Sequence, residues 1–267
     1  MADGLRAYLL VVWMWMRSTL TYRMSFLLTT LGSGTTAFLD FVAILIMFTH
    51  VDTLGGFSVA EVALLYGATS TSLGLADLAL GNMDRIGARI RDGTLDVLLV
   101  RPAPVFAQLA ADRFALRRVG RVVQGLLVLG WSLTGLDVDW DAGRVLLLVV
   151  MIVAGAVIYG AVFALGGAFQ FLAGDAAEVQ NSFTYGGNTL LQYPPSIFAK
   201  DLVRGVTFVV PLAFVNWVPA LRLLGRDDPL GLPGWVDFLS PAVAVVMCGL
   251  TALLWRAGLR SYRSTGS

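Results

Sequence analysis

Apolar stretches of about the twenty residues that a bilayer's hydrocarbon core demands recur from one end of this 267-residue chain to the other. No interval between them is wide enough for a separate soluble core, so residues 1–267 read as one all-α polytopic membrane domain. Composition agrees where it bears on the point. Hydrophobic residues make up 57% and charged residues 14% of the chain, against roughly 25% charged in soluble domains. The single cysteine, Cys248, lies inside an apolar run, so neither a disulfide framework nor a cysteine-based zinc site is available within one chain.

Residues 1–23 hold the run YLLVVWMWM between Arg6 and Arg17, with no small-residue cleavage site after it. Leu5, Leu9, Val12, Met16 and Leu20 fall near one face, the pattern of an interfacial helix lying along the cytoplasmic leaflet. Six transmembrane helices are expected after it, near residues 24–50, 58–80, 122–136, 144–171, 176–193 and 237–255. The third starts near Phe106, and its first half carries Asp112, Arg113, Arg117, Arg118 and Arg121. That half must lie at the inner surface or against protein. Residues 196–225 are apolar but interrupted by Lys200, Arg204, Pro211 and Pro219. They read as a re-entrant outer segment of two short helices, tolerated only where protein or a cavity covers the broken backbone. Under this layout fourteen of the nineteen basic residues face inward, which puts both termini in the cytoplasm.

The longest inner loop, residues 81–104, is GNMDRIGARIRDGTLDVLLVRPAP. Met83, Ile86 and Ile90 repeat at three and four among Asp84, Arg85, Arg89 and Arg91, which predicts a short amphipathic helix over Met83 to Arg91. Gly93 is a natural stop. The apolar run Leu95 to Val100 is broken by Asp96, and Pro102 and Pro104 end it. Its apolar side chains can pack on a partner or on this chain's own third helix. An ordinary loop whose arginines meet anionic lipid head groups is the plainer alternative.

Polar groups inside apolar segments need partners or water. Asn181, Thr184, Tyr185, Asn188, Thr189 and Gln192 interrupt the fifth segment. At helical spacing Asn181, Thr184, Asn188 and Gln192 share one face, which suits either a translocation path or hydrogen bonds across an interface between helices. Asp40, an intramembrane charge, costs roughly 2.5 to 3.5 kcal/mol on insertion scales. It is expected to face protein or water, a structural hydrogen bond being preferred to a proton relay. Asp77 and Asp175 are expected to pair with the arginine cluster around Arg117 or to be solvated, and Glu61 to be solvated. The lone histidine, His50, sits at the predicted outer boundary in an interfacial role. One His, one Cys and scattered acids supply no nucleophile–base pair or metal cluster, which argues against an intramembrane enzyme.

Gly93-Thr94-Leu95-Asp96, followed by Leu98-Leu99 and Arg101-Pro102, resembles the loop after the second helix of bacterial ABC type-2 permeases, the membrane subunits of ATP-driven exporters. The stretch FVVPLAFVNWVPALRLLG, Phe208 to Gly225, resembles the outer hairpin before their sixth helix. The resemblance implies a pair of permeases, identical or homologous, joined to a cytoplasmic dimer of ATPase subunits in the bacterial inner membrane. Loop 81–104 would be the coupling helix, and the cargo an exported amphiphile such as a drug, peptide or lipid. Arg85, Arg89, Arg91, Asp92, Leu95, Asp96 and Arg101 are then the expected ATPase contacts. Membrane lipid is a further expected partner and nucleic acid is not. No cofactor is expected in this chain: its one lysine, Lys200, is followed by Asp201, which rules out a G-x-x-x-x-G-K-[ST] phosphate loop. ATP and Mg belong to the partner ATPase. The rival reading is a stand-alone ion-coupled carrier or channel, in which Asp40 would be central.

Overall fold

The computed structural model describes residues 2–174 and 176–262; the expectations for Asp175 and for Arg263 in the inner tail lie outside the described residues. Helix α1 (Ala2–Thr21) bends at Tyr22 into α2 (Arg23–Phe48). Helix α3 (Val59–Leu80) starts at a capping box in which the Ser58 side chain accepts from the Glu61 N–H and Glu61 accepts from the Ser58 N–H. A 3-10 turn, Gly81–Arg85, carries α3 directly into α4 (Ile86–Arg91). The expected amphipathic helix is thus a bent extension of α3. Short helices α5 (Leu95–Leu99) and α6 (Val105–Ala111) follow, flanking Pro102 and Pro104.

The chain then breaks, with Arg113 at φ 50°, before α7 (Val119–Gly135). Asp141 caps α8 (Ala142–Ala173) by accepting from the Arg144 N–H at 2.7 Å. Helices α9 (Ala177–Asn181) and α10 (Gly187–Leu191) are joined by a π turn, Ser182–Gly186. Residues 196–225 contain α11 (Lys200–Arg204) with a further π turn, then an irregular stretch, then α12 (Trp217–Leu224). Helix α13 (Ser240–Ser261) ends the described chain.

Among the described residues, four helices are long and apolar enough to cross a membrane: α2, α3 with its extension, α8 and α13. Helix α7 has 17 residues, and the α9–α10 pair is shortened and interrupted by polar side chains. Helix α3 is the centre of the bundle, packed between α7 and α8. Its most apolar window is 89% buried, against 17% for α2. Small residues allow the α3–α7 approach: a Cβ on Gly67 would lie 2.6 Å from the Leu129 nitrogen, and one on Gly125 would lie 2.7 Å from the Thr71 hydroxyl. The broken segment is covered in part: Leu212 to Val215 are buried, while Phe208 and Val209 are exposed. Asn216, fully buried, donates through Nδ2 to the Leu65 and Leu191 carbonyls at 2.9 Å, and Trp217 Nε1 donates to the Tyr193 carbonyl at 2.9 Å.

Glu61, expected to be solvated, is instead buried and paired. The Arg226 guanidinium, arriving from the turn after α12, donates to both of its carboxylate oxygens at 2.8 Å and lies 5.0 Å from the Phe57 ring. The carboxylate already faces the Ser58 N–H, so a second donor completes its hydrogen bonding. His50 is exposed, in hydrogen-bond contact with Thr49 Oγ1.

Candidate functional site

Two polar assemblies stand out in this apolar molecule. The first is the loop from Gly81 to Asp112. Met83 and Ile86 are fully buried against α8, and the side chain that fastens them is Gln170. Its Oε1 accepts from the Gly87 N–H at 2.6 Å, while its Nε2 approaches the Met83 carbonyl at 3.4 Å and donates to Gln180 Oε1 at 3.1 Å. Gln170 is itself fully buried. One amide therefore ties the loop to α8 and both to the first turn of α9.

Gly93 turns the chain at φ 65°. Helix α5 then resolves which way the apolar run packs: Leu95 and Leu98 face inward and are buried, while Val97, Leu99 and Val100 are exposed, Val100 at 84%. The run thus packs within the chain on one face of this short helix and leaves the other face open. Leu95, expected among the contacts to an ATPase, is enclosed by its own chain and presents no surface. Arg89 is also engaged internally, in an ion pair with Asp112, whose carbonyl accepts from Asn82 Nδ2. Asp96 accepts from the Tyr262 hydroxyl at 2.9 Å; partial burial, together with this hydrogen bond, pushes the Tyr262 phenol above its ordinary pKa. Gln108 Nε2 bonds to the Leu98 and Ala103 carbonyls. Arg85, Arg91, Asp92 and Arg101 lie on the exposed side with Val97 and Val100.

The second assembly is a cavity of about 490 Å³ between α2, α3, the start of α7 and α10. It gathers Tyr185, Asn188, Thr189 and Gln192, four of the six expected path residues, and adds Asp40, Ser70 and Arg121. Asn181 and Thr184 do not reach it. Thr184 is buried with its hydroxyl bonded to the Gln180 carbonyl. Thr184 and Tyr185 both lie within the π turn Ser182–Gly186, whose extra residue shifts side chains out of α-helical register there. Gln192 Nε2 donates to Ser70 Oγ on α3 at 3.3 Å, so part of this polar face bonds within the chain.

Beside the cavity, at the end nearer Gly81, Asp77, buried, lies 3.2 Å from Arg118 Nε and 3.6 Å from Arg121 Nη1. It also accepts from the Tyr185 hydroxyl at 3.0 Å, and the Arg121 guanidinium sits 5.4 Å from the Tyr185 ring centre. Asp77 thus pairs with the arginine cluster, through Arg118 and Arg121; Arg117 contributes its carbonyl, which accepts from Ser33. Asp40 was expected to hydrogen-bond a neighbouring helix. Among the described residues it forms no hydrogen bond or ion pair and opens onto the cavity. The neighbour that could have met it, Tyr66, donates instead to the Ala37 carbonyl at 2.6 Å.

Sequence reasoning missed Gln170, Asp112 and Tyr262. For Gln170 the signal was there, since an uncharged amide inside the longest apolar helix demands partners.

The family model described as ABC-2 family transporter protein matches residues 35–266. Searches of curated proteins and of solved structures return no match.

Proposed function

This chain belongs to the ABC-2 transporter family, the membrane permease of an ABC transporter whose ATPase is a separate partner; from that premise we propose that loop 81–104 receives the ATPase stroke and passes it to the polar cavity. The observation that carries the reading is Gln170. Through it, a push on Met83 and Gly87 is felt at Gln180, at the base of the helix that holds Asn188 and Gln192. Such a chain of hydrogen bonds is a physical route between two sites, provided ATPase contacts differ between nucleotide states. The exposed side of α4 and α5, with Val97, Val100, Arg85 and Arg101, is the docking face; Leu95 and Arg89 hold that face in shape from behind.

In this proposal the cytoplasmic ATPase dimer binds ATP with Mg, six helices span the inner membrane with both termini in the cytoplasm, residues 196–225 re-enter from the outer side, and two permeases enclose the path of an exported amphiphile. The exposed apolar surface of α2 supports a second permease or lipid on that side. The test is copurification of the ATPase with the permease, and ATP turnover in proteoliposomes, for wild type and Val100→Glu. Retained folding with lost ATPase supports the docking face; equal ATPase recovery and coupling refutes it. If no ATPase copurifies and transport follows a proton gradient, the stand-alone carrier is correct.

A further inference from the structure

The cavity between α2 and α10 is unequal in charge along its length. At one end two guanidinium groups, Arg118 and Arg121, share the single carboxylate of Asp77, and Arg121 also lies against the Tyr185 ring. Further along, the charge is negative. The α2 wall runs from Ser33 to Ala43, about 15 Å at the helical rise. Asp40 lies two turns beyond Ser33 and meets neither a cation nor a hydrogen-bond donor among the described residues. An unpaired carboxylate in a membrane-spanning helix calls for a positive partner.

Other features of the same walls favour a cation larger than a proton. Thr36, Ser70 and Thr189 line the same space with hydroxyl groups that can accept, and an ammonium group carries several donors. Tyr66, held in place by its bond to the Ala37 carbonyl, and Tyr193 line the same space, and aromatic rings attract cations. Ala37, Ala43 and Leu73 give the remaining wall an apolar character. The volume lies in the range of ordinary small-molecule pockets.

We propose that this cavity binds the protonated amine of an amphiphile, with Asp40 as counter-charge, the neighbouring hydroxyls as acceptors and the apolar wall against the hydrocarbon part. The proposal rests on the permease reading for its transport meaning, but binding itself needs no ATPase, so the two can fail separately. The experiment is saturation binding of tritiated dodecylamine to the purified full-length permease in nanodiscs, with dodecanol and dodecyl sulfate as competitors. Wild type binds saturably and neither competitor displaces the amine. Asp40→Asn weakens binding at least about tenfold, the loss expected for a charge-assisted contact. Asp40→Glu keeps affinity within about threefold, and the exposed Asp201→Asn leaves it unchanged. Light scattering on the same samples reports assembly state. Equal amine affinity in Asp40→Asn, or displacement by dodecanol as readily as by amine, overturns the proposal. So does an Asp40→Asn protein that loses its oligomeric state while its amine affinity stays the same, since Asp40 would then be a subunit contact.

Discussion

In the loop from Gly81 to Asp112, side chains that could have faced outward are tied inward: Arg89 to Asp112, Asp96 to Tyr262, Gln108 to two carbonyls, and the backbone at Gly87 to Gln170. In the cavity behind α2, Asp40 has no hydrogen-bond or ion-pair partner among the described residues, and the amide oxygen of Asn188, on the cavity wall, is buried without one. The difference separates two tasks. A part that transmits force must hold its shape, and most of the loop's polar groups are satisfied from within, the buried Asp84 Oδ1 and Gln108 Oε1 being exceptions. A part that receives a ligand keeps some unsatisfied, since those supply the binding free energy.

The largest effect expected from breaking this contrast comes from Leu95→Glu. It buries an unpaired charge in the anchor of α5, a class of change that costs more than about 4 kcal/mol. Folded, monodisperse protein is lost in size-exclusion chromatography. Gln170→Leu comes next. It leaves the Gly87 N–H and Gln180 Oε1 without their partner, at about 1–3 kcal/mol for each orphaned group. A lower melting temperature accompanies a larger drop in transport per ATP hydrolysed, whereas a merely structural role would lower both rates in proportion.

Val100→Glu leaves the melting temperature unchanged but cuts ATPase recovery about tenfold, as loss of an interface anchor does. It thereby separates the outer face of α5 from its inner one. The smallest effect is at the far end of α3. Glu61→Gln weakens its pair with the partly exposed Arg226 by about 1 kcal/mol, read as a small fall in melting temperature with coupling intact. If Glu61→Gln uncouples transport as strongly as Gln170→Leu, the distinction between transmitting loop and passive outer cap is lost.

The helical segments were legible because apolar length is written directly in composition: helical residues lie at each of the six expected positions, and four of those helices, among the described residues, are long and apolar enough to cross a membrane. What was hidden depends on fine register or on long-range pairing. Helix α5 has five residues, too few for periodicity to decide that Leu95 turns in and Val100 out. The π turn at Ser182–Gly186 inserts its extra residue without any compositional mark, so Asn181 and Thr184 were grouped with Asn188 and Gln192 although only the latter pair reaches the cavity. The Ser58–Glu61 spacing is a visible capping box, yet the partner of Glu61 is Arg226, 165 residues away. Gln170 was visible as an anomaly; its three partners lie on segments brought together only by the fold.

The central claim is that the loop and the base of the fifth helix move as one body, joined through Gln170. Spin labels at exposed Arg85, Phe183 and Leu39, in a Cys248→Ser background, measure this in pairs by double electron–electron resonance, with the partner ATPase nucleotide-free and trapped with ATP. The account predicts an unchanged distance between positions 85 and 183 in both states, together with a changed distance between 183 and 39. A changed distance between 85 and 183 with a fixed distance between 183 and 39 would contradict it.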